Sequence, residues 1–215
     1  MFTNRTEAGQ QLAKKLKELF GEEFILGNLI VLGIPRGGLV IGQQIAQVLN
    51  CPLDVMVTKK ISAPSNSEFA IGAVGVTGEP VIDERLAKEV GADEKYLQSQ
   101  IANLKSEVLR RLNEYRGHKP VLDFKNKVVI LADDGVATGS TMQAAIEVLR
   151  QENPKKIIVA TPVISRDALE KIEKQADEVV YLESPEVFFA VGEFYEDFEQ
   201  MTDEEVKELL NETTF

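Results

Sequence analysis

Two adjacent carboxylates close an apolar segment near the middle of the chain. Asp133 and Asp134 directly follow the apolar residues 128–132, within the stretch VVILADDGVATGST. An ionised aspartate only accepts hydrogen bonds, so a pair of aspartates matches two vicinal hydroxyls, which donate them. Because such an apolar run is typical of a buried strand, we expect the acids at the edge of a sheet, with at least one facing the crevice above it.

Small and hydroxylated residues follow the acids at once. Gly135 and Gly139 permit tight backbone turns and the close approach of a ligand. Thr138, Ser140 and Thr141 stand where a helix should begin, and the free N–H groups at a helix N-terminus attract an anion. An acidic pair beside such a site predicts a ligand that carries both a diol and a phosphate, namely a ribose 5-phosphate.

The whole stretch resembles the signature that binds phosphoribosyl pyrophosphate (PRPP) in type I phosphoribosyltransferases: an apolar run, two acids, two or three small residues and then T-G-x-T. The resemblance implies that Asp133 and Asp134 hold the ribose 2- and 3-hydroxyls. It implies that the 5-phosphate is bound by Ala137, Thr138, Gly139, Ser140 and Thr141. The alternative is a nucleotide hydrolase with its acids on magnesium, but its partner motif G-x-x-x-x-G-K-[ST] does not occur in the sequence.

A second glycine-rich turn, GIPRGG, occupies residues 33–38 and follows the first apolar strand. The resemblance implies that Arg36, Gly37 and Gly38 bind pyrophosphate there, partly through backbone N–H groups. Consecutive glycines beside an arginine suit an anion whose charge must be met locally. A plain strand-to-helix turn with an exposed arginine is the alternative.

Two lysines and a glutamate flank the next loop. The resemblance implies that Lys59 and Lys60 meet the pyrophosphate as this loop closes, and the alternative is two solvated lysines. Family members that act on 6-oxopurines carry an acid where this chain has Ala137, whereas adenine-using members resemble this chain and take a carboxylate from the mobile loop. Glu68 is the candidate for that role, as proton acceptor or as a contact to the base, and a solvated glutamate is the alternative.

The reaction that the resemblance implies is displacement at ribose C1, in which a nitrogenous base arrives and pyrophosphate leaves, or the reverse pyrophosphorolysis. The transition state has oxocarbenium character, and no protein nucleophile is needed. The implied cofactor is Mg²⁺, held by Asp133 and Asp134 largely through the ligand and water. Closure of residues 62–68 would exclude water. The competing hypothesis is a non-catalytic module that binds PRPP or a nucleotide and regulates another protein.

The elements that must position these residues alternate along the chain. Hydrophobic spacing predicts helices at 6–20, 39–49, 92–116, 140–150 and 166–174, strands at 29–33, 53–57, 69–76, 127–132, 156–163 and 178–182, a loop at 62–67, and a last helix that begins at the capping box TDEE of residues 202–205. Continuous Val/Ile runs predict strands that are buried on both faces. We therefore expect an α/β fold like that of type I phosphoribosyltransferases, with a mostly parallel sheet flanked by helices and a small hood.

The resemblance extends over nearly the whole chain to a less characterised branch of the family. That branch shares the PRGG loop, the segment KISAPSNSE at residues 60–68 and an aromatic tail. We expect a single domain over residues 1–215, with a helical insertion near 84–118 and a C-terminal tail near 185–215 as the two candidates for the hood. Phe188, Phe189 and Tyr195 in the tail could stack on a flat acceptor, and core packing is the alternative. The resemblance also implies a homodimer.

Composition limits the other function classes. The net charge of −11 argues against a protein that grips nucleic acid. Cys51 and His118 are the sole cysteine and histidine, so the sequence offers neither an internal disulfide nor a Cys/His metal cluster. No apolar stretch approaches the roughly 18 residues that span a bilayer. We expect a soluble, cytoplasmic protein that binds PRPP and a small-molecule base, with neither a membrane nor a nucleic acid as partner.

Overall fold

A computed structural model describes residues 1–24, 28–75, 79–117, 119 and 122–212. Of the segments predicted above, Val76, His118 and residues 213–215 lie outside this part. The main sheet has five strands in the order β2-β1-β6-β7-β8, and each neighbouring pair is parallel. Its strands are β1 (Leu29–Gly33), β2 (Leu53–Val55), β6 (Val128–Ala132), β7 (Lys156–Val163) and β8 (Glu178–Glu183).

Helices flank this sheet, which confirms the predicted α/β fold class. They are α1 (Arg5–Phe24), α2 (Gly38–Leu49), α5 (Ser140–Gln151) and α6 (Arg166–Ile172). Helix α1 packs against α2 and against strands β7 and β8, and α5 packs against α6. Every residue of β1 and β6 is buried, as expected for strands that are covered on both faces.

A second sheet is antiparallel and has the strand order β3-β4-β5. It comprises β3 (Lys59–Ala63), β4 (Asn66–Val74) and β5 (Pro80–Ile82). The loop predicted at 62–67 is therefore wrong, because β3 runs to Ala63 and only Pro64 and Ser65 form the turn. The hydroxyl of Ser62 donates to the carbonyl of Ser67 at 2.8 Å across this turn. The pairing of β3 with β4 thus outweighs the loop-like composition of residues 62–67.

Three further helices border the carboxyl ends of the main sheet or the small sheet: α3 (Glu84–Glu89), α4 (Glu94–Arg116) and α7 (Asp203–Glu212). Helix α4 packs against β2, β3, β4 and α7. It is anchored where Arg116 donates to both carboxylate oxygens of Asp54 in β2, with both side chains buried. Helix α7 begins at the predicted capping box, since Thr202 and Glu205 exchange hydrogen bonds.

The N-terminus pairs with the segment that precedes α7. Phe2 and Tyr195 form a β-bridge, and their rings lie 5.5 Å apart. Both residues are buried in the cluster of hydrophobic side chains that joins the main sheet to the small one. None of the helices described here is both long and apolar enough to cross a membrane.

Candidate active site

The acid pair lies where β6 ends. The backbone N–H of Asp133 donates to the carbonyl of Ala160 in β7 at 3.2 Å, and the N–H of Asp134 donates to Oδ1 of Asp133 at 2.9 Å. Burial raises the pKa of Asp133 well above its ordinary value, and the neighbouring charge of Asp134 raises it further. The loop thus holds two carboxylates that need a counter-charge or a hydrogen-bond donor.

Arg5 supplies that counter-charge in this structure. Its Nε lies 2.7 Å from Oδ2 of Asp134, and its Nη1 donates to the carbonyl of Glu199 at 2.7 Å. Its guanidinium also lies over the ring of Phe198, at 3.8 Å from the ring centroid. No motif in the sequence points to Arg5, because its contact with the acid loop depends on how the start of α1 packs.

The aromatic tail supports the acid loop from outside the crevice. The hydroxyl of Tyr195 donates to the backbone carbonyl of Asp134 at 2.6 Å, and its ring stacks on Phe198 at 5.1 Å. Burial raises the pKa of Tyr195. Packing, the alternative to acceptor stacking, therefore accounts for Tyr195. Phe188 contacts the ring of Phe194 at 5.1 Å, whereas Phe189 is 80% exposed.

The loop that follows the acids is held by a hydrogen bond from Ser165. The carbonyl of Ala137 accepts a hydrogen bond of 2.6 Å from the hydroxyl of Ser165. Gly139 has φ +81°, a conformation that other residues rarely adopt, and a Cβ there would point toward Ala168 and Ile172 at 3.4–3.5 Å. Glycine is therefore required by the backbone conformation. Helix α5 begins directly after it, and its N-cap residue Gly139 makes no side-chain cap hydrogen bond. The N–H of Ser140 reaches the hydroxyl of Thr138 only at the long distance of 3.5 Å, so the start of α5 can donate to a bound acceptor.

The PRGG loop approaches the acid loop too closely for side chains. A Cβ at Gly37 would lie 1.8 Å from Oδ2 of Asp134, and one at Gly38 would lie 2.5 Å from the carbonyl of Ala132. The peptide bond between Pro35 and Arg36 is cis, and the side chain of Arg36 is exposed. The two glycines thus let the loop after β1 pack directly on the end of β6.

Adjoining cavities open above these loops. The phosphate-side cavity has a volume of about 400 Å³, and its lining includes Lys59, Lys60, Arg111, Thr138, Ser140 and Thr141. The acid-side cavity has a volume of about 290 Å³, and its lining includes Arg5, Arg36, Gly37, Asp133, Asp134 and Gln200. Both are also lined by Ile34, Pro35 and Thr141, so they are two parts of one crevice.

Helix α4 also lines this crevice, and no sequence motif indicated which of its residues do so. Lys59 Nζ lies 2.8 Å from Oε1 of Glu107, and Nε of Arg111 lies 3.5 Å from the same oxygen. Lys59, Lys60 and Arg111 therefore concentrate positive charge opposite the start of α5. Glu68 lies in β4, and its side chain falls outside the described part of the chain, so its role stays a prediction.

A family model for the phosphoribosyl transferase domain matches residues 2–199. The chain belongs to this family. Phosphoribosyltransferases are also found among its individual relatives. A Mycobacterium tuberculosis protein named "Putative phosphoribosyl transferase" is 34% identical over 211 residues, which cover 98% of this chain and 46% of that protein. The chain thus spans about half the length of the curated relatives it matches.

Two further comparisons concern a solved structure and a curated enzyme. The protein TT1426 from Thermus thermophilus, whose crystal structure is known, is 41% identical in sequence; the match covers 100% of both chains with a TM-score of 0.91. An adenine phosphoribosyltransferase of Bacteroides thetaiotaomicron is 29% identical over 150 residues, which cover 70% of this chain and 63% of that protein.

The carboxylates at the crevice suit Mg²⁺, which usually takes one or two carboxylates together with ligand phosphates and water. Asp133 and Asp134 offer that pair of carboxylates at the crevice edge. In the described ranges no group of three or more His, Cys, Asp or Glu side chains could hold a metal. Magnesium at Asp133 and Asp134 would therefore share its coordination with a ligand, and when bound it would supply positive charge to the phosphates of that ligand.

Proposed function

We propose that this protein transfers the ribose 5-phosphate of PRPP to a nitrogenous base in a Mg²⁺-dependent reaction, or runs the reverse pyrophosphorolysis. One observation carries the proposal. The acid pair and the start of α5 both follow β6 within a few residues, and the PRGG loop packs directly on the acids. A diol site, a phosphate site and an arginine-bearing loop thus border one crevice.

Each part of PRPP has a proposed partner. The ribose hydroxyls donate to Asp133 and Asp134, and the 5-phosphate accepts from the loop of residues 137–141. The pyrophosphate lies against Arg36 and the backbone of Gly37 and Gly38. Arginine suits this place because its guanidinium can donate two parallel hydrogen bonds to one phosphate.

Lys59 and Lys60 would add positive charge to the leaving group. Lys59 is paired with Glu107 here, so the proposal requires that pyrophosphate compete with that carboxylate for its ammonium group. The β3–β4 hairpin carries both Lys59 and Glu68, and its movement toward the crevice would exclude water. Helix α4 and the residues around Gln200 border the crevice from above, and we propose that both segments form the hood of a single domain.

A non-catalytic PRPP-binding or nucleotide-binding module is the second candidate, and the contact of Arg5 with Asp134 favours it. An acid that is already paired with an arginine has one oxygen fewer for the ribose or for magnesium. Turnover therefore requires that Arg5 share or release that oxygen, whereas a regulator could use the contact as its ligand-free state.

Calorimetric titration of Mg²⁺-PRPP into the wild type and into Asp133→Asn/Asp134→Asn tests the site. Binding by the wild type alone is expected, since each hydrogen bond to a charged group contributes about 1.5–3 kcal/mol. Pyrophosphate release is then measured with a panel of bases. Binding without release for every base would favour the regulatory module, and equal binding by both proteins would refute the placement of the ribose.

The proposal also includes a cytoplasmic location and a homodimer, as expected from the resemblance. Cell fractionation measures the location, and light scattering coupled to size-exclusion chromatography measures the mass in solution. The net charge of −11 is consistent with a set of partners that does not include nucleic acid.

A further inference from the structure

Arg5 is held beside the acid pair by contacts on three sides. Its Nε donates to Oδ2 of Asp134 at 2.7 Å. Its Nη1 donates to the carbonyl of Glu199 at 2.7 Å, and its guanidinium lies 3.8 Å from the centroid of the Phe198 ring. The protein itself therefore sets the direction of this guanidinium, which borders the acid-side cavity from a fixed position.

The backbone that carries Arg5 is paired with the segment that precedes α7. The N–H of Phe2 donates to the carbonyl of Phe194 at 2.7 Å. The hydroxyl of Tyr195, in the same segment, donates to the carbonyl of Asp134 at 2.6 Å. Arg5 can leave the acid loop only by giving up its other contacts or by moving this paired backbone. We therefore expect Arg5 to stay beside Asp134 when a ligand binds.

The two oxygens of Asp134 differ in their surroundings. Oδ2 accepts from Arg5 and packs on the PRGG loop, since a Cβ at Gly37 would lie 1.8 Å from it and 2.7 Å from Nε of Arg5. Oδ1 accepts no hydrogen bond from the residues that the structure describes. Oδ1 is hence the oxygen through which Asp134 can meet a ribose hydroxyl or magnesium. Asp133 can add its Oδ2, because its Oδ1 accepts from the N–H of Asp134.

Arg5 also changes the charge that a ligand meets at the acid pair. Asp133 and Asp134 by themselves attract a divalent cation and repel the phosphate groups of PRPP. The guanidinium of Arg5 offsets one of the two carboxylate charges at hydrogen-bond distance, between side chains that are largely buried. Arg5 should therefore weaken the binding of a metal ion alone and strengthen the binding of PRPP without a metal.

We propose that Arg5 is a positioning residue of the PRPP site, which keeps its contact with Oδ2 of Asp134 while the ligand binds and leaves Oδ1 for that ligand. This inference rests on the proposed function and assigns the sharing of the Asp134 carboxylate, as opposed to its release, to the working protein. Arg5 then supplies part of the positive charge that magnesium would otherwise supply. A divalent cation accordingly enters the site with PRPP and not before it.

Binding of Mn²⁺ alone, measured by electron paramagnetic resonance as a substitute for Mg²⁺, tests the charge of the acid pair. We expect Arg5→Gln to bind Mn²⁺ at least about fivefold more tightly than the wild type, because the acids lose their resident cation. Adding Asp134→Asn should abolish this gain. A merely structural role of Arg5 would leave the Mn²⁺ affinity unchanged or weaker, since a loosened acid loop offers no better ligands.

Arg85→Gln is the matched control for charge. It removes one positive charge from an exposed pair with Glu89 on α3, and Arg85 lines neither the phosphate-side nor the acid-side cavity. This variant should bind Mn²⁺ as the wild type does. An equal gain in both variants would overturn the inference, because the effect would then come from the net charge of the chain.

Calorimetric titration of PRPP, once with EDTA and once with Mg²⁺, tests the positioning role. We expect Arg5→Gln to lower the affinity for metal-free PRPP about tenfold or more, with a smaller loss when Mg²⁺ replaces the missing charge. Arg5→Lys keeps the charge without the planar guanidinium and should recover part of the loss.

Three results would overturn the inference: an unchanged Mn²⁺ affinity in Arg5→Gln, equal losses of PRPP affinity with and without Mg²⁺, or a wild type that binds PRPP only with Mg²⁺. If the wild type binds PRPP under neither condition, the proposed function itself fails. The Mn²⁺ titration separates that failure from a failure of the role of Arg5, because it contains no PRPP.

Discussion

The guanidinium of Arg5 lies 2.7 Å from the carboxylate of Asp134, and both side chains are largely buried at 12% and 15% exposure. Removing one partner leaves the other charge without its match in a partly dry site. We expect Arg5→Gln to lower the free energy of unfolding by about 1–3 kcal/mol. The double variant with Asp134→Asn should lose less than the sum of the single variants, as measured by urea denaturation. Arg85→Gln, which breaks an exposed pair, should lose at most about 0.5 kcal/mol.

The close approach of Gly37 to Asp134 predicts a specific loss of ligand binding. The Cβ of Gly37→Ala would lie 1.8 Å from Oδ2 of Asp134, so the acid or the loop must move. We expect the affinity for Mg²⁺-PRPP to fall at least about tenfold, which corresponds to about 1.4 kcal/mol. Gly21→Ala is the matched control, because a Cβ at this position of α1 meets nothing within 4 Å. That variant should bind normally and gain up to about 1 kcal/mol of stability. Equal affinities of the two variants for Mg²⁺-PRPP would contradict the placement of Asp134 in the binding site.

The buried pair of Arg116 and Asp54 anchors α4 to the edge strand β2. The Nε of Arg116 donates to Oδ1 of Asp54 at 2.7 Å, and the exposed fractions of the two side chains are 5% and 9%. Arg116→Met alone should lower the free energy of unfolding by about 3–5 kcal/mol, because it leaves a buried carboxylate unpaired. Adding Asp54→Leu should restore most of that loss in the same denaturation experiment. An additive loss in the double variant would show that the pair does not act as a unit.

Burial raises the pKa of the Cys51 thiol to about 12 from an ordinary value of 9.0. The thiolate is the reactive form, so at pH 8 the folded protein should react with a disulfide reagent at least about 100-fold more slowly than the urea-unfolded chain. The unfolded thiol ionises near pH 9, whereas the folded thiol stays protonated up to about pH 12. Stability should therefore fall as the pH rises through this interval. Cys51→Ala removes this part of the pH dependence, and an unchanged profile would contradict the assignment.

The sequence was sufficient to predict the short motifs of the site. Four short motifs carried this information: the acids after β6, the T-G-x-T loop, the PRGG turn and the capping box of α7. Each spans only a few residues, so the spacing within the motif indicates its local geometry. The parallel sheet was likewise predictable, since β1 and β6 are apolar runs that are buried on both faces. The loop predicted at 62–67 was wrong. Its serines, proline and asparagine favour a loop, but the pairing between β3 and β4 decides the structure there.

Short-range patterns were enough to predict the family, the fold class and a site at the end of β6. Tertiary packing sets which groups surround the acids. Arg5 reaches Asp134 across 129 positions, and Tyr195 reaches its carbonyl across 61. It also decided that Arg110 and Arg111 of α4 share a cavity with Arg36. Such neighbours depend on how helices and chain ends pack, and no spacing along the chain encodes a contact between segments that meet only in the folded state.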